Sequence, residues 1–174
     1  MPLRPERKMT KKRASKKVAK AVSMSLAQRV VELEDREAIR SLVNDMNWMA
    51  DEEQLDDLLA CFTDDLVYDV GAFGTYHGKP ALRSFYEQTV KAFKLRIHHA
   101  TNQVIELRGG KAKSRCYWKA ELELQGRALN SSGHYLDELV KQRGQWKVDK
   151  RTATITYMCP LDEGWAKTRM MTLG

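Results

Sequence analysis

Apolar residues recur at spacings of three and four between residues 25 and 93, and then at every second position over long stretches beyond residue 94. The first region predicts helices. Ser25 and Gln28 fit a capping box, and a helix runs from there to about Ala50. Ile39, Leu42, Val43, Met46, Met49 and Ala50 form its apolar stripe. A second, shorter helix carries Leu55, Leu58, Leu59 and Phe62, and Thr63-Asp64-Asp65 turns the chain into a strand over 66–70. Gly71, Gly74 and Gly78 make the next segment a turn-rich connection. Pro80 suits the first turn of a third helix with Ala81, Leu82, Phe85, Thr89, Val90 and Phe93 on one side.

The second region predicts four extended segments, at about 95–107, 111–125, 128–141 and 145–158. Arg108-Gly109-Gly110 and Arg143-Gly144-Gln145 read as hairpin turns, and Gly126-Arg127 as a weaker one. Sequential strands joined by short turns make an antiparallel meander, and strands this long need strong curvature to close around a core. Helices followed by a curved antiparallel sheet give an α+β fold with the helices packed into the concave face.

Composition changes that picture only at the ends. The overall charge of the 174 residues is +7, yet residues 1–23 alone hold nine Lys or Arg against Glu6, a net +8, which leaves the remainder at −1. Residues 1–24 therefore read as a basic tail with too little apolar content to fold alone. Weak, salt-sensitive contact with nucleic acid or an anionic surface suits it, and sequence-specific recognition does not, because it lacks an aromatic residue to stack on bases. It also lacks the apolar core of a secretion signal. The folded domain is expected at 25–160, with a C-terminal tail at 161–174 whose Trp165 packs on the body or on a neighbouring subunit. No apolar run approaches the roughly 18 residues of a membrane span. Cys61, Cys116 and Cys159 are odd in number and without Cys-x-x-Cys spacing, which predicts reduced thiols and a cytoplasmic setting.

Candidate chemistry rests on two places. Asp51 directly follows the long helix, and His98 opens the run His98-His99-Ala100-Thr101-Asn102 on a strand. A carboxylate beside an imidazole fixes the ring tautomer and stabilises its protonated form, a minimal proton-transfer device. Each residue also has an ordinary reading: Asp51 with Gln54 caps the second helix, and an interior histidine is a hydrogen-bonded core residue. Strand alternation puts His98, Ala100 and Asn102 on one face, which suits a polar pocket wall, and His99 on the other. Trp48 and Met49 offer apolar lining. Tyr68, Tyr117, Trp118, Tyr135 and Trp146 are core aromatics by default, and any phenol among them that faces a cavity can donate to a substrate oxygen. His134 and Ser132 border the same pocket in one reading, and His77 is solvated. No Gly-rich phosphate loop, Gly-x-Ser-x-Gly elbow or metal-spaced His/Cys cluster is present.

Over residues 31–158 the sequence resembles the SnoaL-like branch of the nuclear transport factor 2-like superfamily. The resemblance is carried by Ala38-Ile39-Arg40, Asp51, the stretch LLACFTDD from Leu58 to Asp65, and Gly74-Thr75-Tyr76-His77-Gly78. It continues through Ile97-His98-His99-Ala100-Thr101-Asn102 and Gly144-Gln145-Trp146-Lys147. The pattern is most like the subgroup of scytalone dehydratase, lindane dehydrochlorinase and bile-acid 7α-dehydratase. It implies a cone-shaped α+β barrel around one apolar cavity, no cofactor, and a homo-oligomer, a trimer before a dimer. It also implies a lyase acting on a small hydrophobic cyclic molecule by dehydratase-type elimination, with His98 as general base and Asp51 its partner. Isomerisation or polyketide cyclisation by the same pair, and a non-catalytic binding or assembly module, stand as alternatives. Met46 stands where some relatives place a tyrosine or lysine, so leaving-group assistance falls to Asn102, Ser132 or a tyrosine such as Tyr68 or Tyr117. Lys141 lies near a position that is basic in the dehydrochlorinase.

Overall fold

A computed structural model describes residues 24–165; the expectations placed on residues 1–23 and 166–174 lie outside the described residues. The chain divides into two compact units at Asp35 and Arg36. The described part of the first is the capped start of helix α1 (Leu26–Asp51), where Ser25 N–H donates to Gln28 Oε1 (2.9 Å) and Gln28 N–H donates to Ser25 Oγ (3.2 Å). These reciprocal bonds satisfy two of the backbone donors that a helix start leaves unpaired.

Within the second unit, the three-and-four spacing brings Ile39, Val43 and Met46 onto one buried face of α1, together with the polar Asn47. Glu53, in the left-handed region at φ 61°, turns the chain into the short helix α2 (Leu55–Ala60). Strand β1 follows at Phe62–Asp69, so Phe62 belongs to the sheet and not to the second helix, and Thr63-Asp64-Asp65 is strand, not turn. The register of β1 slips between Phe62 and Val67, so the two aspartates lie on an irregular stretch where they remain in solvent. A 3-10 turn (Gly71–Phe73), strand β2 (Thr75–His77) and helix α3 (Gly78–Ala92) come next. Four long strands complete the fold: β3 (Phe93–Arg108), β4 (Lys111–Leu124), β5 (Arg127–Gln142) and β6 (Gln145–Pro160).

The six strands form one curved, unclosed sheet in the order β2-β1-β6-β5-β4-β3, antiparallel throughout except where β1 runs parallel to β6. The fold class is α+β, as the sequence pattern predicts. On β4, Cys116, Trp118, Ala120 and Leu122 are buried, while Tyr117 and Lys119 between them are exposed and Glu121 is half-buried. On β3 and β6 the alternation shifts phase where one strand carries an extra residue, near Asn102 and at Asp149. Further slips lie between Phe93 and Leu95 on β3 and between Ile155 and Tyr157 on β6, and together these irregularities set which side chains reach the site.

Candidate active site

Asp51 is the last residue of α1, and its carboxylate meets β3. His98 N–H donates to Asp51 Oδ2 (2.7 Å), and His98 Nδ1 lies 2.5 Å from Asp51 Oδ1. The helix-cap reading of Asp51 fails here: α2 begins at Gln54 with no side-chain cap, and both carboxylate oxygens are turned to His98. A carboxylate only accepts, so Nδ1 carries a proton toward Asp51, and in the neutral ring Nε2 holds the lone pair. Both side chains are partly exposed, 21 % for His98 and 12 % for Asp51.

Arg96, two residues before His98 and on the same face of β3, ties the parts together. Its Nη2 donates to the Asp51 carbonyl (3.3 Å) and to Glu53 Oε1 (2.8 Å), and its Nη1 donates to the Phe93 carbonyl. One buried guanidinium thus spans the start of β3, the end of α1 and the left-handed turn after it, and so fixes the backbone from which Asp51 projects.

His98 borders a cavity of about 120 Å³ between the inner sheet face and the helices. Met46, Ala50, Val70, Phe73, Phe85, Val90, Ala120, Leu122, Ala153, Ile155 and Met158 make its lining mainly apolar. The Trp118 ring lies 6.3 Å from that of His98 and stacks on Tyr135 at 5.7 Å. Gly133 makes room for it, because a Cβ there would fall 2.8 Å from Trp118 Cζ2 and 1.8 Å from the Thr154 carbonyl oxygen.

Tyr68, Tyr86, Tyr135 and Arg151 also line the cavity, apart from the His98–Asp51 pair in sequence and chemistry. Arg151 Nε donates to Asp137 Oδ1 (2.7 Å) and its Nη2 to Oδ2 (2.9 Å), with both side chains almost fully buried. Its guanidinium lies 4.3 Å from the Tyr135 ring centroid. Burial opposes the Arg151 charge, but the Asp137 carboxylate outweighs it and holds the guanidinium protonated, well above its ordinary range. Burial pushes the phenols of Tyr68, Tyr86 and Tyr135 up, so they stay neutral donors; the Tyr86 and Tyr68 hydroxyls are 3.4 Å apart. Among the described residues no group of three or more His, Cys, Asp or Glu side chains could hold a metal ion, and the three cysteines are unpaired.

Of the residues singled out in the sequence, the structure brings together Asp51, His98 and Tyr68. Trp118 and Tyr135 line the same cavity, and the remaining candidates do not reach it. Trp48 is 64 % exposed, because it falls on the side of α1 away from the stripe. Asn102 sits at the β3 bulge with φ 55°, which breaks the alternation and turns it to solvent; Gln103 then donates inward to Ser114 Oγ (2.9 Å). Tyr117 is 57 % exposed on the outer face, one step out of phase with Trp118. Ser132 and His134 share that outer face, opposite Lys119 and Tyr117, and Ser132 Oγ donates to the Trp118 carbonyl. Ser131, not Ser132, lines the cavity. Lys141 lies over the Trp146 ring (5.9 Å), far along β5 from Ser131. His99 is exposed beside Glu121, and Trp165 stacks on Tyr157 at 6.3 Å.

Asn47, Tyr86, Arg96 and Arg151 are the residues that sequence reasoning missed. A polar residue next to Met46 on the buried stripe was the available signal for Asn47. Arg151 had none, because only the Asp149 bulge rotates it inward.

The SnoaL-like domain model matches residues 31–152. The chain belongs to the SnoaL-like family. No curated protein sequence matches it, but solved structures share the fold. A protein provisionally named as a scytalone dehydratase, from Novosphingobium aromaticivorans DSM 12444, is 24 % identical with a TM-score of 0.69 over 74 % of this chain and 88 % of its own. A protein from N. aromaticivorans provisionally named as an aromatic ring hydroxylase is 25 % identical, with TM-score 0.69 over 74 % and 94 %. Hexachlorocyclohexane dehydrochlorinase LinA-type3 from Novosphingobium barchaimii LL02 is 22 % identical, with TM-score 0.72 over 84 % and 99 %. Those names span more than one reaction, so the fold does not choose between them. No described helix is long and apolar enough to cross a membrane.

Proposed function

We propose that this SnoaL-like protein is a cofactor-independent lyase that removes water or halide from a small hydrophobic ring. The observation that carries the reading is the two-point contact of Asp51 with His98 at an apolar cavity. In the proposed step, His98 Nε2 takes a proton from a ring carbon. Its C–H pair becomes the new double bond, and hydroxide or halide leaves the adjacent carbon. Asp51 stabilises the imidazolium; when hydroxide departs, that imidazolium can return the proton and release water. A positioned base of this kind contributes typically 10²–10⁴-fold. Assistance to the leaving group, which Met46 cannot give, falls to the neutral phenols of Tyr68 and Tyr86 and to the permanent Arg151 cation.

The cavity volume favours one ring over a steroid, since ~150 Å³ is the size that admits a benzene molecule. We also propose that the protein self-associates, as a trimer, through the outer sheet face. Leu95, Ile97, Val104, Tyr117 and Leu136 are large apolar residues left exposed on β3, β4 and β5. The unpaired cysteines suit a reducing, cytoplasmic setting.

The test is turnover of a panel of six-membered cyclic alcohols and halides, read as alkene formed, in wild type, His98→Gln and Asp51→Asn, with each preparation sized by light scattering. Both variants should lose at least 100-fold in kcat while keeping their circular dichroism. Retained turnover in both, or an isomerised product with nothing eliminated, sinks the lyase reading, and a monomer sinks the assembly.

A further inference from the structure

Three nitrogen donors among the described residues are buried with no hydrogen-bond partner: Asn47 Nδ2, Arg96 Nε and Trp118 Nε1. Their residues are only 6 %, 7 % and 6 % exposed, and all three line the cavity beside His98. Folded proteins leave few such groups unpaired, because each costs about 1–3 kcal/mol. Other polar groups of the same wall have partners: Ser131 Oγ donates to the Tyr157 carbonyl, and Arg151 Nε and Nη2 donate to Asp137. The unpaired donors are therefore concentrated where a bound molecule would sit.

Two of them, Asn47 and Trp118, lie near the His98–Asp51 pair in the fold. Asn47 lies one helical turn before Asp51 on α1, so the two share a helix face. Trp118 lies two residues from Ala120, the direct cross-strand partner of His98, on the same sheet face. The indole is held by its stack on Tyr135 and by the space above Gly133, so its N–H is fixed before anything binds. An indole nitrogen donates and cannot accept. Whatever it recognises must bring a lone pair, and a carbon-bound halogen accepts far more weakly than a carbonyl oxygen.

We infer that Trp118 and Asn47 bind an acceptor oxygen of the ligand, so that the cavity selects an oxygenated ring such as a cyclic ketone over a bare hydrocarbon or halocarbon ring. Arg96 Nε is the third donor available to that oxygen. The inference depends on the lyase reading only in calling the ligand a substrate; the recognition stands whether or not turnover follows.

The probes are cyclohexanone and methylenecyclohexane, which have the same shape and differ by C=O against C=CH2. They are titrated into the full ¹⁵N-labelled chain, whose four tryptophans give four indole N–H signals. Trp118→Phe, which keeps an aromatic ring and deletes the donor, identifies the Trp118 signal. Cyclohexanone should shift that signal saturably and bind roughly three- to tenfold tighter than methylenecyclohexane, the worth of an uncharged hydrogen bond. The preference should shrink in Trp118→Phe and in Asn47→Leu. Should Trp118→Phe fail to fold, the wild-type titration and Asn47→Leu carry the same comparison. Equal binding of the two probes, movement of a different indole, or no binding of cyclohexanone each overturns the inference. Failure of His98→Gln to lose turnover would leave these binding results untouched, so the two ideas fail separately.

Discussion

Two carboxylates on the same inner wall each hold a basic side chain, in contrasting settings. Asp51 with His98 and Asp137 with Arg151 each make two contacts of similar length. The first pair is partly exposed, and its basic member is an imidazole. The second is sealed, and its basic member is held charged far above any physiological range. The same pairing therefore leaves one carboxylate and its base partly exposed at the cavity and buries the other with a fixed charge. Burial and the identity of the base separate them.

The largest effect expected from breaking this contrast is on stability. Asp137→Ala leaves the Arg151 cation buried without a partner and should cost about 3–5 kcal/mol, read by urea denaturation. Asp51→Ala removes hydrogen bonds from a partly exposed site and should cost about 1–2 kcal/mol in the same measurement. Equal losses would erase the distinction. A smaller effect is expected at Arg96, which holds Asp51 only through backbone and turn contacts. Arg96→Gln should lower kcat by about tenfold, with KM little changed, and shift or remove the low-field proton signal of His98 Nδ1–H. A normal signal with lost activity would show that Arg96 acts in some other way.

The smallest effect is confined to alkaline pH. Burial pushes the Cys116 thiol from 9.0 up to about 11, and the phenols of Tyr68, Tyr86 and Tyr135 up as well. Raised pKa values in the folded state mean that the neutral forms are favoured by folding. Their contribution is complete below pH 9 and is lost as pH rises, first through Cys116 between 9 and about 11 and then through the tyrosines, whose unfolded pKa is about 10. Thermal melting should be level below pH 9 from these groups and fall above it. Cys116→Ala should delay the onset; an unchanged onset would point away from the thiol.

Most of the fold was legible because period is a property of composition along the chain. The helix stripe from Ile39 to Ala50 and the four long strands follow from it directly, with ends displaced by a few residues. Asp51 and His98 were legible because an element end and a strand face can be counted. Asn102 and Arg151 were not, since counting by twos assumes an uninterrupted ladder and both lie at or beyond an inserted residue. Tyr117 against Trp118, and Ser132 against Ser131, were ambiguous for a related reason. The paired residues differ by one step, and nothing in their chemistry says which of the two faces inward.

That sensitivity has a consequence for how this wall can change. Asp149 is a single extra residue on β6, and its side chain accepts a hydrogen bond from Thr63 while Arg151 beyond it faces the cavity. Deleting it would swap the interior and exterior sets of every residue downstream until the next irregularity, exchanging Arg151 and Ala153 for their neighbours in one event. A scaffold built this way can trade its reactive surface by gaining or losing one amino acid, a larger chemical step than any point substitution offers.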